Sequence, residues 1–542
     1  MAISATGLAT GIDVESLVSQ LVAAEIAPAA NRFDRKESDH QLKISGLGSL
    51  RGELTSFLAS LSGVGTAATF QSKLASSSLS KAVEASANAD ATIGSYSIAV
   101  SNLATSQSYA QAGTAFSAVT DAVGLGTLAI NDGTQTVSVV VDSNNNSLSG
   151  LAESINKTAG NVNAAVVYDG TGYRLVLSAT KTGQANALTI TAAVDNDGNT
   201  SDTNGLSKFA SANLTQTVAA EDAALTINGL SVSSASNSIS DALTGVTLTL
   251  KEETSAGEIA QISISDDKGK LVAAVSTFVK GYNQVMSSIN KLTAYDSSTQ
   301  RASALTGDAG VRAIASGIRN HINSSVKNVT GDVSMLAELG ITSSALTGEL
   351  TVNNTTLDAA ITKNPLDVAN VFASIGRPDS TNIKFVSSTS ATEVGTYMVT
   401  FDSDNSSGTI NGVAATYDAT EQTLTGAVNS DVEGLVLKLN GNPSGDLGQV
   451  YYAKGISSSL ESLVKGFLAT DGILDARLDG LDASIKDINK QREALDSKAG
   501  ALEARYRRQF NGLETIISQM NTTQSFLNSA LNQLVDPLAF KK

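Results

Sequence analysis

Apolar positions near the C-terminal end of the chain fall at alternating four- and three-residue steps. They run through Leu474, Leu478, Leu481, Ile485, Ile488, Arg492, Leu495, Ala499, Leu502, Tyr506, Gln509, Leu513, Ile516 and Met520, with Phe510 beside them. This spacing puts them on one stripe of a helix, and a 3.5-residue period calls for a partner helix. At 1.5 Å per residue the helix would be roughly 70 Å long, more than a compact domain needs. The pattern points to assembly rather than catalysis.

The opposite end carries a matching face at Val14, Leu17 and Leu21, with Thr10 and Asp13 as capping residues before it. Pro28 is expected to end or kink that first helix. A second stripe follows at Leu47, Leu50, Leu54, Phe57 and Leu61, and a third at Leu271, Val275, Phe278, Tyr282, Val285, Ile289 and Leu292. Three stripes and a rod predict a helical bundle built from both termini and a central piece. The C-terminal stripe outlasts these candidate partners, and its seam contains Arg492, Gln509 and nearby Gly480, Gly500 and Gly512. The polar members are expected to weaken the seam and set its register. Each glycine costs a helix about 1 kcal/mol against alanine. Such a helix is expected to order fully when other subunits supply the missing surface.

Between these helices the texture changes to Ser, Thr, Ala, Gly and Asn with short alternating runs. Tyr96–Val100, Leu225–Ile227 and Val246–Leu250 read as half-buried strands, and a helix is expected around Leu148, Leu151 and Ile155. Asp132-Gly133, Asp169-Gly170, Asn228-Gly229 and Asn411-Gly412 are turn signals. A faint repeat relates Leu225–Gly229 to the Thr409-Ile410-Asn411-Gly412 region. The reading is an α+β multidomain chain: long terminal coiled-coil helices in a bundle with a central helical segment, plus inserted β-rich domains. Its segments are an N-terminal leg (1–45), bundle pieces (46–70, 269–380, 451–505), a β domain (71–90 with 215–268), a β-rich insertion (91–214), a small β insertion (381–450) and a C-terminal leg (506–542).

The 542 residues carry a net charge of −16, which argues against a nucleic-acid partner. No apolar run approaches the roughly 20 residues needed to span a bilayer, so no membrane insertion is expected. Residues 1–6 lack the basic and apolar regions of a cleaved signal peptide. Cysteine is absent, which suits a chain passed unfolded through a narrow channel, where a disulfide would trap it. Catalytic motifs are missing, and the two histidines, His40 and His321, fall in helical stretches. The closest approach to a metal loop, Asp195-Asn196-Asp197-Gly198-Asn199, puts Ala193 and Asn204 where an EF-hand needs carboxylates, so it reads as a surface turn. No catalytic residue, cofactor or metal site is expected.

Residues 7–18, Gly-Leu-Ala-Thr-Gly-Ile-Asp-Val-Glu-Ser-Leu-Val, resemble the start of the flagellar filament cap family, the flagellar hook-associated protein 2 proteins. The resemblance continues in Leu151–Asn156, Arg174–Leu177, Phe278–Asn283, Leu305–Asp308, Leu339–Ile341, Gly348–Leu350, Arg505–Phe510 and Met520-Asn521; residues 383–450 lie outside it. It implies export through the flagellar type III apparatus and a homo-oligomeric ring, expected to be a pentamer, at the distal filament tip. That ring would retain flagellin and promote its folding and insertion. The terminal helices would be the legs that contact flagellin, and an export chaperone would bind the C-terminal segment. The alternatives are another axial subunit, such as a hook–filament junction protein, and a surface adhesin using polar loops near Asn144–Asn146 or Asp195–Thr203. Adhesion to host surfaces could also be a second role of a cap.

Overall fold

The computed structural model describes residues 13–535. Its helices are α1 (Val14–Ser62), α2 (Ala67–Phe70), α3 (Leu148–Thr158), α4 (Lys268–Thr293), α5 (Ala309–Ile322), α6 (Asn354–Lys363), α7 (Pro365–Phe372), α8 (Ile456–Leu468) and α9 (Ile473–Val535). The chain divides into two compact units, residues 1–67 with 272–542, and residues 68–271.

In the second unit, strands Lys73–Ser77, Ala260–Asp266, Gly94–Asn102, Ala223–Ile227 and Leu230–Ser234 form one antiparallel sheet in that order. A three-stranded sheet, Ser238–Leu243, Val246–Leu250 and Val83–Ala87, shares its core through Val83, Ile98, Leu225, Ile239, Leu248 and Ile262. Between the Gly94–Asn102 and Ala223–Ile227 strands the chain builds a second β-rich body, with four- and three-stranded sheets around α3. Strand Gly94–Asn102, placed by the sequence in the insertion, instead pairs with Ala260–Asp266 and Ala223–Ile227. Its alternation suits either sheet, and the partner strands lie more than a hundred residues away, beyond any local pattern.

The first unit holds the helical bundle and an eight-stranded sheet. Sheet order is Ile375–Pro378, Gly445–Ala453, Gly395–Asp402, Ser407–Ile410, Val413–Asp418, Thr423–Thr425, Val436–Leu439 and Ile383–Ser387. The two end strands are consecutive in the chain, and at Gly376 a Cβ would meet the Phe385 ring at 2.6 Å. The sheet therefore curls back on itself around Val399, Leu424, Leu437, Val450 and Tyr452. The weak repeat noted above is a shared hairpin: Asn228-Gly229 (φ 49 and 83) and Asn411-Gly412 (φ 55 and 75) both turn with two left-handed residues. This is the turn type that matches strand twist.

The bundle core forms where α1 meets α4. Leu47, Leu50, Leu54, Phe57 and Leu61 are buried, and Phe57 lies 6.1 Å from Phe278 and 6.2 Å from Tyr282. A Cβ at Gly281 would stand 2.4 Å from Ser60 Oγ, so glycine there lets the two helices approach. Tyr282 donates to the Gly348 carbonyl at 2.9 Å, and burial pushes its phenol up to about 12. The Asn283 amide pairs with both backbone groups of Leu350. The Phe278–Asn283 motif thus builds the bundle.

Pro28 does not end the first helix. α1 runs unbroken for 49 residues with Pro28 inside it, so the first two predicted stripes belong to one element. Pro28 and Ala24, whose carbonyl loses its partner, are both exposed, and solvent can serve that carbonyl. Among the capping residues, Asp13 accepts from Ser16 N at 3.0 Å, while Thr10 lies outside the described residues.

Candidate assembly site

α9 is 63 residues long, and α1 packs along its first part in the opposite direction. Arg51 of α1 lies 3.8 Å from Asp475, Asp34 is 2.6 Å from Arg492, and Glu15 pairs with Arg507. The first helix therefore has a partner within the chain. On α9, Leu474, Leu481, Ile488 and Leu502 are buried at multiples of seven residues, with half-buried Leu495 in the same line. Leu478, Ile485, Arg492, Ala499 and Tyr506 form a half-buried flank. Such a line is what two helices packed along a shared seam require.

On α1 the buried line is Val14, Val18 and Val22. With Leu502 they make one apolar cluster, flanked by Ile26, Ala499, Tyr506 and Phe510. Leu17 is half-buried and Leu21 is 38% exposed. The four-residue valine steps carry the contact that the leucine spacing had suggested. Val18 and Val22 were readable as an i, i+4, i+8 face from Val14.

Charged side chains frame this cluster. Arg492 reaches Asp34 and Glu37 on α1, which makes it a cross-helix clasp rather than a weak point in the seam. Tyr506 donates to Glu25 at 2.9 Å, and the Arg505 guanidinium sits 4.9 Å from the Tyr506 ring centre. Arg507 contacts Glu15 and, at 2.7 Å, Glu503. In this stretch the acids contacting α9 come from α1 and the cross-helix bases from α9, and at Arg51–Asp475 the order reverses. Sliding the helices would separate these pairs, so the ladder fixes register more than it adds stability. Gln509 is exposed.

The base of α9 is tied to the bundle by Asp308. Its carboxylate accepts from Gly310 N and Val311 N at the start of α5 and from Arg477 Nε at 2.9 Å. Burial pushes this carboxyl up, but Arg477 and the two amides outweigh it and hold it below its ordinary value.

Beyond Phe510 the stripe continues without cover. Leu513, Ile516 and Met520 are 48%, 56% and 64% exposed, and Phe526, Leu527 and Leu531 are also exposed. The described part of α1 begins at Val14, whose cluster reaches Phe510. Among the described residues no helix is long and apolar enough to cross a membrane.

Elsewhere the polar candidates serve the fold. Asp195 is buried and accepts from Ser207 N and Oγ, both at 2.7 Å. Asn146 accepts from Val123 N and Gly124 N, and Asn145 from Asp142 N. His321 Nδ1 lies 3.0 Å from the Gly317 carbonyl. No cluster of three or more His, Cys, Asp or Glu suited to a metal occurs among the described residues.

Two family models match the sequence: flagellar hook-associated protein 2 C-terminus over residues 220–522, and flagellar hook-associated protein 2 N-terminus over residues 10–107. The B-type flagellar hook-associated protein 2 of Pseudomonas aeruginosa is 33% identical over 393 residues, covering 68% of this chain and 80% of that protein. Flagellar hook-associated protein 2 of Escherichia coli K12 is 27% identical over 537 residues, covering 97% of each. The crystal structure of the D1-D2-D3 domains of the Escherichia coli flagellar cap protein matches with a TM-score of 0.55 at 24% identity. That match covers 81% of this chain and 99% of that one, a likeness of fold.

Proposed function

Since this chain belongs to the flagellar hook-associated protein 2 family, whose members cap the flagellar filament, we propose that it works as a pentameric ring at the distal tip. There it retains exported flagellin and promotes its folding and insertion. The terminal helices are the legs that contact flagellin. The protein acts outside the cell and reaches the tip through the flagellar export channel. An export chaperone covers the C-terminal segment on the way.

The observation that carries this reading is the exposed apolar stripe on the last part of α9. Leu513, Ile516, Met520, Leu527 and Leu531 stand in water among the described residues, an arrangement suited to a subunit completed by its neighbours. Complementation of a strain lacking its cap tests it, with filament length and free flagellin as readouts. Restored filaments and reduced flagellin release are expected. Continued release from a strain that exports the stable protein, even with the flagellin of its own source, would overturn the proposal.

A further inference from the structure

The charge along α9 changes abruptly at about the level where the described part of α1 begins. From Ile473 to Phe510, 15 of 38 residues are Asp, Glu, Lys or Arg; from Asn511 to Val535 one of 25 is, Glu514. Over the same uncharged stretch, Leu513, Ile516, Met520, Leu527 and Leu531 lie within roughly 40° of one line down the helix at 100° per residue. All five are about half exposed or more, and a groove runs beside Ile516, Met520, Gln524 and Leu527.

We propose that this stripe is a contact between copies of the chain: tails of neighbouring subunits pack in parallel and in register. The inference rests on the ring reading above. Rotational symmetry brings the same residue of every copy to the same height and points all tails the same way. A seam side chain in such a bundle meets its own copies at the axis, so a charge in the seam would meet its like. The first 38 residues of α9 put Arg492 in the seam, where its copies would repel, whereas the stripe of the tail carries no charge. Amides suit the arrangement because each both donates and accepts and so complements itself. Asn511, Gln519, Asn521, Gln524, Asn528 and Asn532 supply them, and Gln524 lies on the stripe itself. A partner recognised through ion pairs, as α1 is, finds almost no countercharge here.

The absence of cysteine allows a clean test in the full-length protein. Met520→Cys places a thiol on the stripe, and Thr522→Cys places one on the opposite, exposed side. Under mild oxidation, in rings verified by light scattering, Met520→Cys should give about tenfold more disulfide-linked dimer than Thr522→Cys, because packing raises the local thiol concentration. The yield should hold at low and high salt alike. Adding Ile516→Asp, at an exposed position that leaves the subunit folded, should abolish the dimer while rings persist. Equal yields at 520 and 522 would overturn the proposal, as would rings in which Met520→Cys stays unlinked. A wild-type protein that forms no rings at any concentration would instead remove the ring reading, and this inference with it.

Discussion

The two stretches of α9 share one periodicity and meet different fates. From Leu474 to Phe510 the stripe is covered by α1 and the bundle, and ion pairs hold its register. From Leu513 to Leu531 the same kind of stripe stands in water. Apolar spacing therefore says that a helix wants a partner, but not whose. The charges flanking the stripe carry that information. Where they are dense and complementary to α1, the partner is in the same chain; where they vanish, the described chain offers no cover.

Four measurements would break or sharpen this contrast. The largest effect is expected at the root, where Phe57→Ala should cost about 3–5 kcal/mol and lower the denaturant midpoint of the unit carrying the bundle. Next is the tie at the base of α9: Asp308→Asn loses the charge that holds Arg477 and caps α5, at a cost of about 2 kcal/mol. Its pH dependence follows from the depressed carboxyl. The contribution is fully present above the ordinary carboxylate value near 4 and is lost as pH falls through the lower folded-state value. The gap between wild type and Asp308→Asn should therefore close in acid, and a gap independent of pH would remove this account.

A smaller effect is expected at the clasp. Arg492→Met should lower the denaturant midpoint slightly at low salt and almost not at all at high salt, since the pairs with Asp34 and Glu37 are partly solvated. The smallest effect on stability should come from Ile516→Asp with Leu527→Asp, within about 0.5 kcal/mol of wild type in thermal unfolding. The same double variant should nevertheless fail to restore filaments in a strain lacking its cap. A large loss of stability there would mean that the tail is covered within the subunit and that the two stretches are alike.

Much of this architecture was legible in the sequence. Leu47 to Leu61 and Leu474 to Leu502 announced the bundle seam, and the Asn-Gly pairs announced the hairpins. Pro28 misled because its cost depends on which face of the helix it occupies, and the stripe around it was too sparse to tell. Arg492 looked like a flaw because its partners, Asp34 and Glu37, lie at the other end of the chain. Val18 and Val22 were passed over for leucines at coiled-coil spacing. The strand Gly94–Asn102 was assigned to the wrong body because alternation fixes a strand's faces and leaves its neighbours open.

The Asp34–Arg492 pair joins residues 458 positions apart. Loop-closure entropy must be met before such a contact returns anything, so contacts of this range form late and slowly. Whichever end of the chain emerges first, α1 and α9 cannot meet until the other is present. The β domains and the hairpins, built from nearer neighbours, can settle beforehand. The α1–α9 pairing therefore forms as the last step of folding, and until then a subunit displays Val14, Val18 and Val22 as bare surface, which a second chain in the same state could capture.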